Sequence, residues 1–304
     1  MHTQSPELPK SGSVLFIHQL AKASVEIAST LLEAIRDGLI PEDARQWLLA
    51  SWLIALDKGA GKVRPIAGGT IFVKLAASYL METASADARR LFNESGLQCG
   101  VFTPDGANAI VHFTQTSLLE HAQNVALKVD FANAFNTLSR SGMLSRFYAY
   151  KALTPFFRLA HWSYVKPSSL WLRGKQGEIA AHISSDEGVR QGCVLGSLVF
   201  AAATLEMLRA VKQEAQDEAE QVDSDSPAGF DILAYLDDVT ISGRPDVVFK
   251  AFNRLEEKAR ELNLSVQRDK CEILVRSEDP SPSVQQAIER NKLFSGATTG
   301  LNYR

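Results

Sequence analysis

The chain is 304 residues long, 45% hydrophobic and 22% charged, with a net charge of -3 at neutral pH. That balance fits a globular protein with a sizeable core, in one large domain or two subdomains, and excludes disordered and collagen-like classes. A mildly acidic chain binds phosphate backbones poorly as a whole, so any nucleic-acid groove must be assembled from local clusters of Lys and Arg.

Residues 1 to 12 are rich in Pro and Ser and read as a disordered amino terminus, without the basic-then-apolar pattern of a secretory signal. From Val14 to Leu56, the spacing of Leu20, Ile27, Leu31 and Ile35, and then of Trp47, Leu48 and Trp52, predicts helices broken at Gly38 and Pro41. No apolar run reaches the roughly 18 residues that span a bilayer. We therefore expect an intracellular protein, nuclear or cytoplasmic, with no membrane partner. Cys99, Cys193 and Cys271 stand far apart, which offers neither a disulfide framework nor a C-x-x-C zinc motif. His112 and His121 form no H-x-x-x-H pair and read as packing or surface residues.

Further along, short strand patterns (Val125 to Phe131, Ile232 to Ser242, Cys271 to Val275) alternate with helix patterns (Leu195 to Val211, Val247 to Leu262), which predicts a mixed α+β domain. Between Lys212 and Gly229 the acids Glu214, Asp217, Glu218 and Glu220 predict a solvated helix end running into a loop. Residues 277 to 284, SEDPSPSV, read as a linker.

In LKVDFANAF, Leu127, Val129 and Phe131 alternate onto one face of a strand, which leaves Lys128 and Asp130 on the other. In ILAYLDDVTIS, two strand-patterned arms flank Asp237 and Asp238 and predict a tight hairpin with both acids at its tip. Taken singly, Asp130 also fits a helix cap, and the acidic pair also fits a solvated turn. Adjacent carboxylates repel, however, and a divalent cation is the usual compensation; hard oxygen ligands favour Mg2+ or Mn2+. Three carboxylates from a strand end and a hairpin tip can clamp two ions roughly 3.5–4 Å apart for in-line phosphoryl transfer. Pro65 biases Arg64 towards an extended backbone, so Lys62 and Arg64 project from one face in a manner suited to a triphosphate, while Lys58 reads as a surface residue. Lys270 alternates with Cys271, Ile273 and Val275, which points its amine away from the core. Gln191 and Gly192 open a helix in which Leu195, Leu198, Ala202 and Leu205 recur at helical spacing.

The order VDFANAF, GVRQGC, AYLDDV and LNLSVQRDKCEIL resembles motifs A, B, C and D of reverse transcriptases, especially those of LINE-like non-LTR retrotransposons. Upstream, KVRPIA and LQCGVFTPDGANAIVH resemble the finger motifs of the same elements, so the resemblance covers roughly residues 15 to 275. It implies an α+β right-hand polymerase: a fingers-like region with a helical start over 13–124, a palm over 125–276, and a linker with a truncated tail over 277–304, the thumb being largely absent. Asp130, Asp237 and Asp238 would hold two Mg2+ or Mn2+ ions, and Phe131 would offer its backbone carbonyl to one of them. Phe135, five positions after Asp130, matches the steric gate that excludes a ribose 2′-hydroxyl. Gly192, beside Gln191, would leave room for a template–nucleotide pair, Arg64 with Lys62 would contact the incoming nucleotide, and Lys270 would protonate the leaving pyrophosphate. Val194 and Gly196 depart from the family, which usually carries Pro and Ser there.

The expected activity is addition of deoxynucleoside triphosphates to a primer 3′ end on an RNA or DNA template. Thumb, endonuclease or RNase H regions would then belong to a longer polyprotein. A second expectation is a truncated or domesticated remnant that binds RNA or a protein without catalysis. A third, a response-regulator-like metal-binding domain, accounts for the acidic pair but not for Gln191-Gly192 or Lys62-x-Arg64.

Overall fold

The computed structural model describes residues 11–57, 59, 63–174, 176–222, 229–276, 282 and 284–286. Most of the stretch read as a loose amino terminus lies outside these residues, as do Lys58 and Lys62 and most of the linker and tail after 276. Helices α1 (Ser11–Arg36) and α2 (Glu42–Leu49) are separated by a break between Gly38 and Pro41, as the spacing predicts. The helical reading carried to Trp52 is corrected. At Ala50 the backbone turns extended (φ -56, ψ 138), and Trp52 falls in β1 (Ser51–Asp57), which pairs with β2 (Val63–Gly68).

The chain continues through α3 (Ile71–Thr83), α4 (Ala86–Ser95), α5 (Gly106–Glu120), β3 (Val125–Val129), α6 (Ala134–Thr137), α7 (Arg140–Ala149) and α8 (Thr154–Tyr164). It returns through β4 (Ser168–Arg173) and β5 (Ile179–Ser185), then α9 (Gly196–Val222), β6 (Asp231–Tyr235), β7 (Asp238–Gly243), α10 (Pro245–Arg260) and β8 (Glu272–Val275). Among the described residues two four-stranded sheets result, one ordered β2-β1-β4-β5 and the other β6-β7-β3-β8. The first is mixed, because β1 and β4 run parallel; every pairing in the second is antiparallel. Among the described residues no helix is long and apolar enough to cross a membrane.

Helix α9 is apolar around its whole circumference in its first half: Leu198, Val199, Phe200, Ala202, Leu205 and Leu208 are at most 1% exposed. A helix of that composition can only be a core helix. Its second half carries the acids expected to face solvent; Asp217 is exposed, and Glu214 and Glu218 keep 44% and 38% side-chain exposure while they pair across to α10. Glu214 pairs with Lys258 at 2.9 Å and Arg254 at 3.6 Å, and Glu218 pairs with Arg254 and with Lys250, so this face of α9 is stitched to α10.

Among the described residues, three buried arginines tie helices and loops together around the first sheet. Arg45 donates to the carbonyls of Trp162 and Lys166, Arg140 to those of Ser185 and Gly188, and Arg190 to the Leu49 carbonyl and the Ser168 hydroxyl. The guanidinium carbons of Arg140 and Arg190 lie 5.3 and 5.1 Å from the Tyr164 ring, within cation–π range. Arg190 belongs to the GVRQGC segment, so it ties the entry of α9 to the first sheet.

Candidate active site

The second sheet brings the acids together by register. Leu127 and Val129 are fully buried and Phe131 is 6% exposed, while Lys128 is exposed, so Asp130 leaves the end of β3 on the side predicted from the alternation. Val129 pairs with Val239, and one further step along that register sets Asp130 against Asp238. Tyr235 pairs with Asp238, which leaves Leu236 and Asp237 as the two-residue turn between β6 and β7. All three acids therefore sit at one end of one sheet.

Protein cations compensate the field there only in part. Burial holds the Asp237 carboxyl above the ordinary carboxylate range; Asp238 and Asp130 push it further up, while a hydrogen bond from its own backbone and the Arg64 guanidinium draw it down. Arg64 stands on β2, opposite Leu56, on the exposed part of the first sheet. Lys270 ends a short 3-10 turn before β8; its amine is 3.8 Å from Asp130 Oδ2 and also donates to the Gln267 side chain. Among the described residues no three His, Cys, Asp or Glu side chains stand close enough to hold a metal ion as they are. The donor set nonetheless has the chemistry of a hard-cation site: three carboxylates on adjacent strand ends, one of them half-buried and repelled by the other two.

The remaining predicted residues frame this end of the sheet. Phe135 lies in α6, half-buried, with its ring parallel to that of Phe200. Phe131 forms an isolated bridge with Val266 that uses the carbonyls of Asp130 and Ser265 rather than its own. Gln191 and Gly192 precede α9 rather than open it, since the helix starts at Gly196. Gly192 has φ +106, and a Cβ there would come 2.6 Å from the Ala67 carbonyl oxygen, while the Gln191 carbonyl accepts from Ala67 N–H. In this structure its missing side chain accommodates β2. A cleft of about 510 Å3 is lined by Leu53, Pro65 and Ala67 of the first sheet and by Asn136, Asp186 and Gln191. Sequence reasoning missed Phe200 and the segment Gln98 to Gly100, which touches the acidic turn. The only signal for the latter was a Gln-x-Gly within a stretch read as fingers.

This division into a mixed sheet and an antiparallel sheet carrying acids at its hairpin is that of a template-dependent polymerase's fingers and palm. Solved structures with the same fold include telomerase from Candida albicans in complex with a fragment of telomeric RNA (TM-score 0.50, 11% identity, 79% of this chain and 44% of that one) and apo telomerase from Candida tropicalis (TM-score 0.51, 12% identity, 80% and 47%). The model of the family described as reverse transcriptase (RNA-dependent DNA polymerase) matches residues 56–292, and the chain belongs to that family. It is similar to a retrotransposable element SLACS 132 kDa protein of Trypanosoma brucei gambiense, 30% identical over 266 residues. That match takes in 82% of this chain and 20% of the longer protein.

Proposed function

We propose that this chain is the polymerase part of a retrotransposable-element protein and adds deoxynucleotides to a primer 3′ end by two-metal phosphoryl transfer, with RNA as its template. The observation that supports the reading best is the register that sets Asp130 against Asp238 with Asp237 on the adjoining turn. Asp130, Asp237 and Asp238, with the Phe131 carbonyl, would hold Mg2+ or Mn2+. When bound, such ions supply charge stabilisation for the attacking and leaving oxygens. Arg64, with Lys62 two positions before it, would neutralise the triphosphate and orient it. Phe135 would close the space of a 2′-hydroxyl, Gln191 and Gly192 would border the nascent pair, and Lys270 would give a proton to the leaving pyrophosphate.

A non-catalytic remnant is the second reading. What favours it is the present orientation of Asp130, whose nearest cation is Lys270 rather than a site shared by three carboxylates. Primer extension on an RNA template, with and without a chelator, separates the two. Extension that stops when divalent ions are removed supports the polymerase; binding of primer–template with no extension at any Mg2+ or Mn2+ concentration supports the remnant.

A further inference from the structure

The acidic turn carries a residue in a conformation that its side chain disfavours. Leu236 has φ +58, the left-handed region that a bulky residue rarely adopts unless its surroundings hold it there. The holding group is Gln98, which is 1% exposed. Its Nε2 donates to the Leu236 carbonyl at 3.0 Å, and Leu236 N–H donates back to its Oε1 at 3.1 Å. The second Nε2 hydrogen goes to Thr204 Oγ1 on α9 at 3.2 Å, and that hydroxyl in turn lies within bonding distance of the Phe200 carbonyl. One carboxamide thus grips both main-chain polar groups of Leu236 and is itself anchored to the core helix.

The flanking backbone supports the same grip. Ala234 N–H donates to the Leu97 carbonyl at 2.8 Å and Cys99 N–H donates to the Ala234 carbonyl at 2.7 Å, so residues 97 to 99 run as a short parallel bridge along the free edge of β6. Two positions after Gln98, a Cβ on Gly100 would come 2.7 Å from Leu236 Cγ and 2.8 Å from Leu236 N. A side chain at 100 cannot coexist with the turn as it stands.

We propose that Gln98 is a positioning residue for Asp237. By fixing φ and ψ of Leu236, the residue immediately before it, the carboxamide sets the direction in which the Asp237 carboxylate leaves the backbone, and Gly100 provides the room for that geometry. The inference rests on the reading of Asp237 as a catalytic acid. It gives a role to the Gln-x-Gly of LQCGVFT through its contacts with Leu236.

The test uses the full chain and the isosteric apolar variant Gln98→Met, with Gly100→Ala as an independent displacement of the turn, Thr204→Val as a control that spares both bonds to Leu236, and Asp237→Asn as the reference for the acid itself. Four quantities are measured: thermal midpoint, primer–template Kd by anisotropy, single-turnover incorporation rate, and Mn2+ affinity by electron paramagnetic resonance without nucleic acid. We expect Gln98→Met and Gly100→Ala to lower the incorporation rate and Mn2+ affinity by about 10- to 100-fold, the usual effect of losing a group that orients a metal ligand. Primer–template Kd should be unchanged in both, and Thr204→Val, which leaves a buried Gln98 N–H without its acceptor, should lower the thermal midpoint while keeping the wild-type rate and Mn2+ affinity. A folded Gln98→Met with wild-type rate and Mn2+ affinity overturns the proposal; if that variant does not fold, a folded Gly100→Ala with wild-type values does the same. Wild-type activity in Asp237→Asn would instead show that the acid is misassigned, a separate failure from that of the clamp.

Discussion

The ring of Phe135 lies flat against that of Phe200, with centroids 4.4 Å apart and planes at 10°. Phe200 is fully buried on α9, whereas Phe135 is half-buried on the short α6, so a rigid ring backs a partly open one. For Phe135 to serve as the sugar gate proposed above it must not swing aside, and stacking on an immobile neighbour would supply that resistance.

Phe135→Ala should therefore admit ribonucleotides, lowering discrimination against them by about one to two orders of magnitude while deoxynucleotide incorporation is largely kept. Phe200→Leu should lower discrimination less, by loosening the gate rather than removing it. Incorporation of matched ribo- and deoxynucleotides is the measurement. Unchanged discrimination in Phe135→Ala would make Phe135 an ordinary core ring.

Lys270 stands 3.8 Å from Asp130 Oδ2 at 48% side-chain exposure, so it reaches the acids while remaining solvent-accessible. Lys270→Gln should slow single-turnover incorporation by about 100-fold or more, the usual contribution of a general acid, with little change in primer–template affinity. A matching loss with Lys270→Arg would support proton donation, because guanidinium keeps the charge but gives up its proton far less readily. Full rescue by Arg would assign Lys270 to charge alone.

The pKa of the Asp237 carboxyl is raised above the ordinary aspartate value of 3.8, first by burial and then by Asp238 and Asp130. The folded state thus binds this proton more tightly than the unfolded chain does, so ionised Asp237 costs stability at neutral pH. That cost disappears as pH falls through the folded value and below the unfolded one. In chelator, Asp237→Asn should melt at a higher temperature than wild type at pH 7, with the gap closing as pH falls to about 3.8. Calorimetry across that range is the check; an Asn variant that melts lower at pH 7 would mean the carboxylate is compensated within the protein.

Arg140 spends its guanidinium on two carbonyls and the Ser185 hydroxyl, and burial brings its pKa down to about 10. Arg140→Met leaves those acceptors unpaired and should cost about 3 kcal/mol in denaturant unfolding. A cost below about 1 kcal/mol, the range of exposed ion pairs, would show that water replaces it.

The palm was legible because its chemistry and its pattern coincide: Leu127, Val129 and Phe131 mark the buried face, and the arms around Asp237-Asp238 mark a hairpin. The first sheet was not. In β5 the sequence IAAHISS has no buried face until Ser185, and Trp52 on β1 continues a helical spacing by accident while pairing across to Trp171. Strands exposed on both faces lack the alternation that a core imposes. Gln98 was illegible for another reason. Its partner Leu236 is 138 residues away, and only the folded register brings a backbone in a disfavoured conformation to its side chain.

The most direct measurement is single-turnover extension of a DNA primer on an RNA template in Mg2+, comparing wild type with Asp237→Asn, each first shown to be folded by circular dichroism. The acidic turn assigned here as the catalytic centre predicts divalent-dependent incorporation by wild type and none detectable in the variant, with primer–template binding equal in both. Incorporation by Asp237→Asn at the wild-type rate, or by wild type in excess chelator, would contradict it.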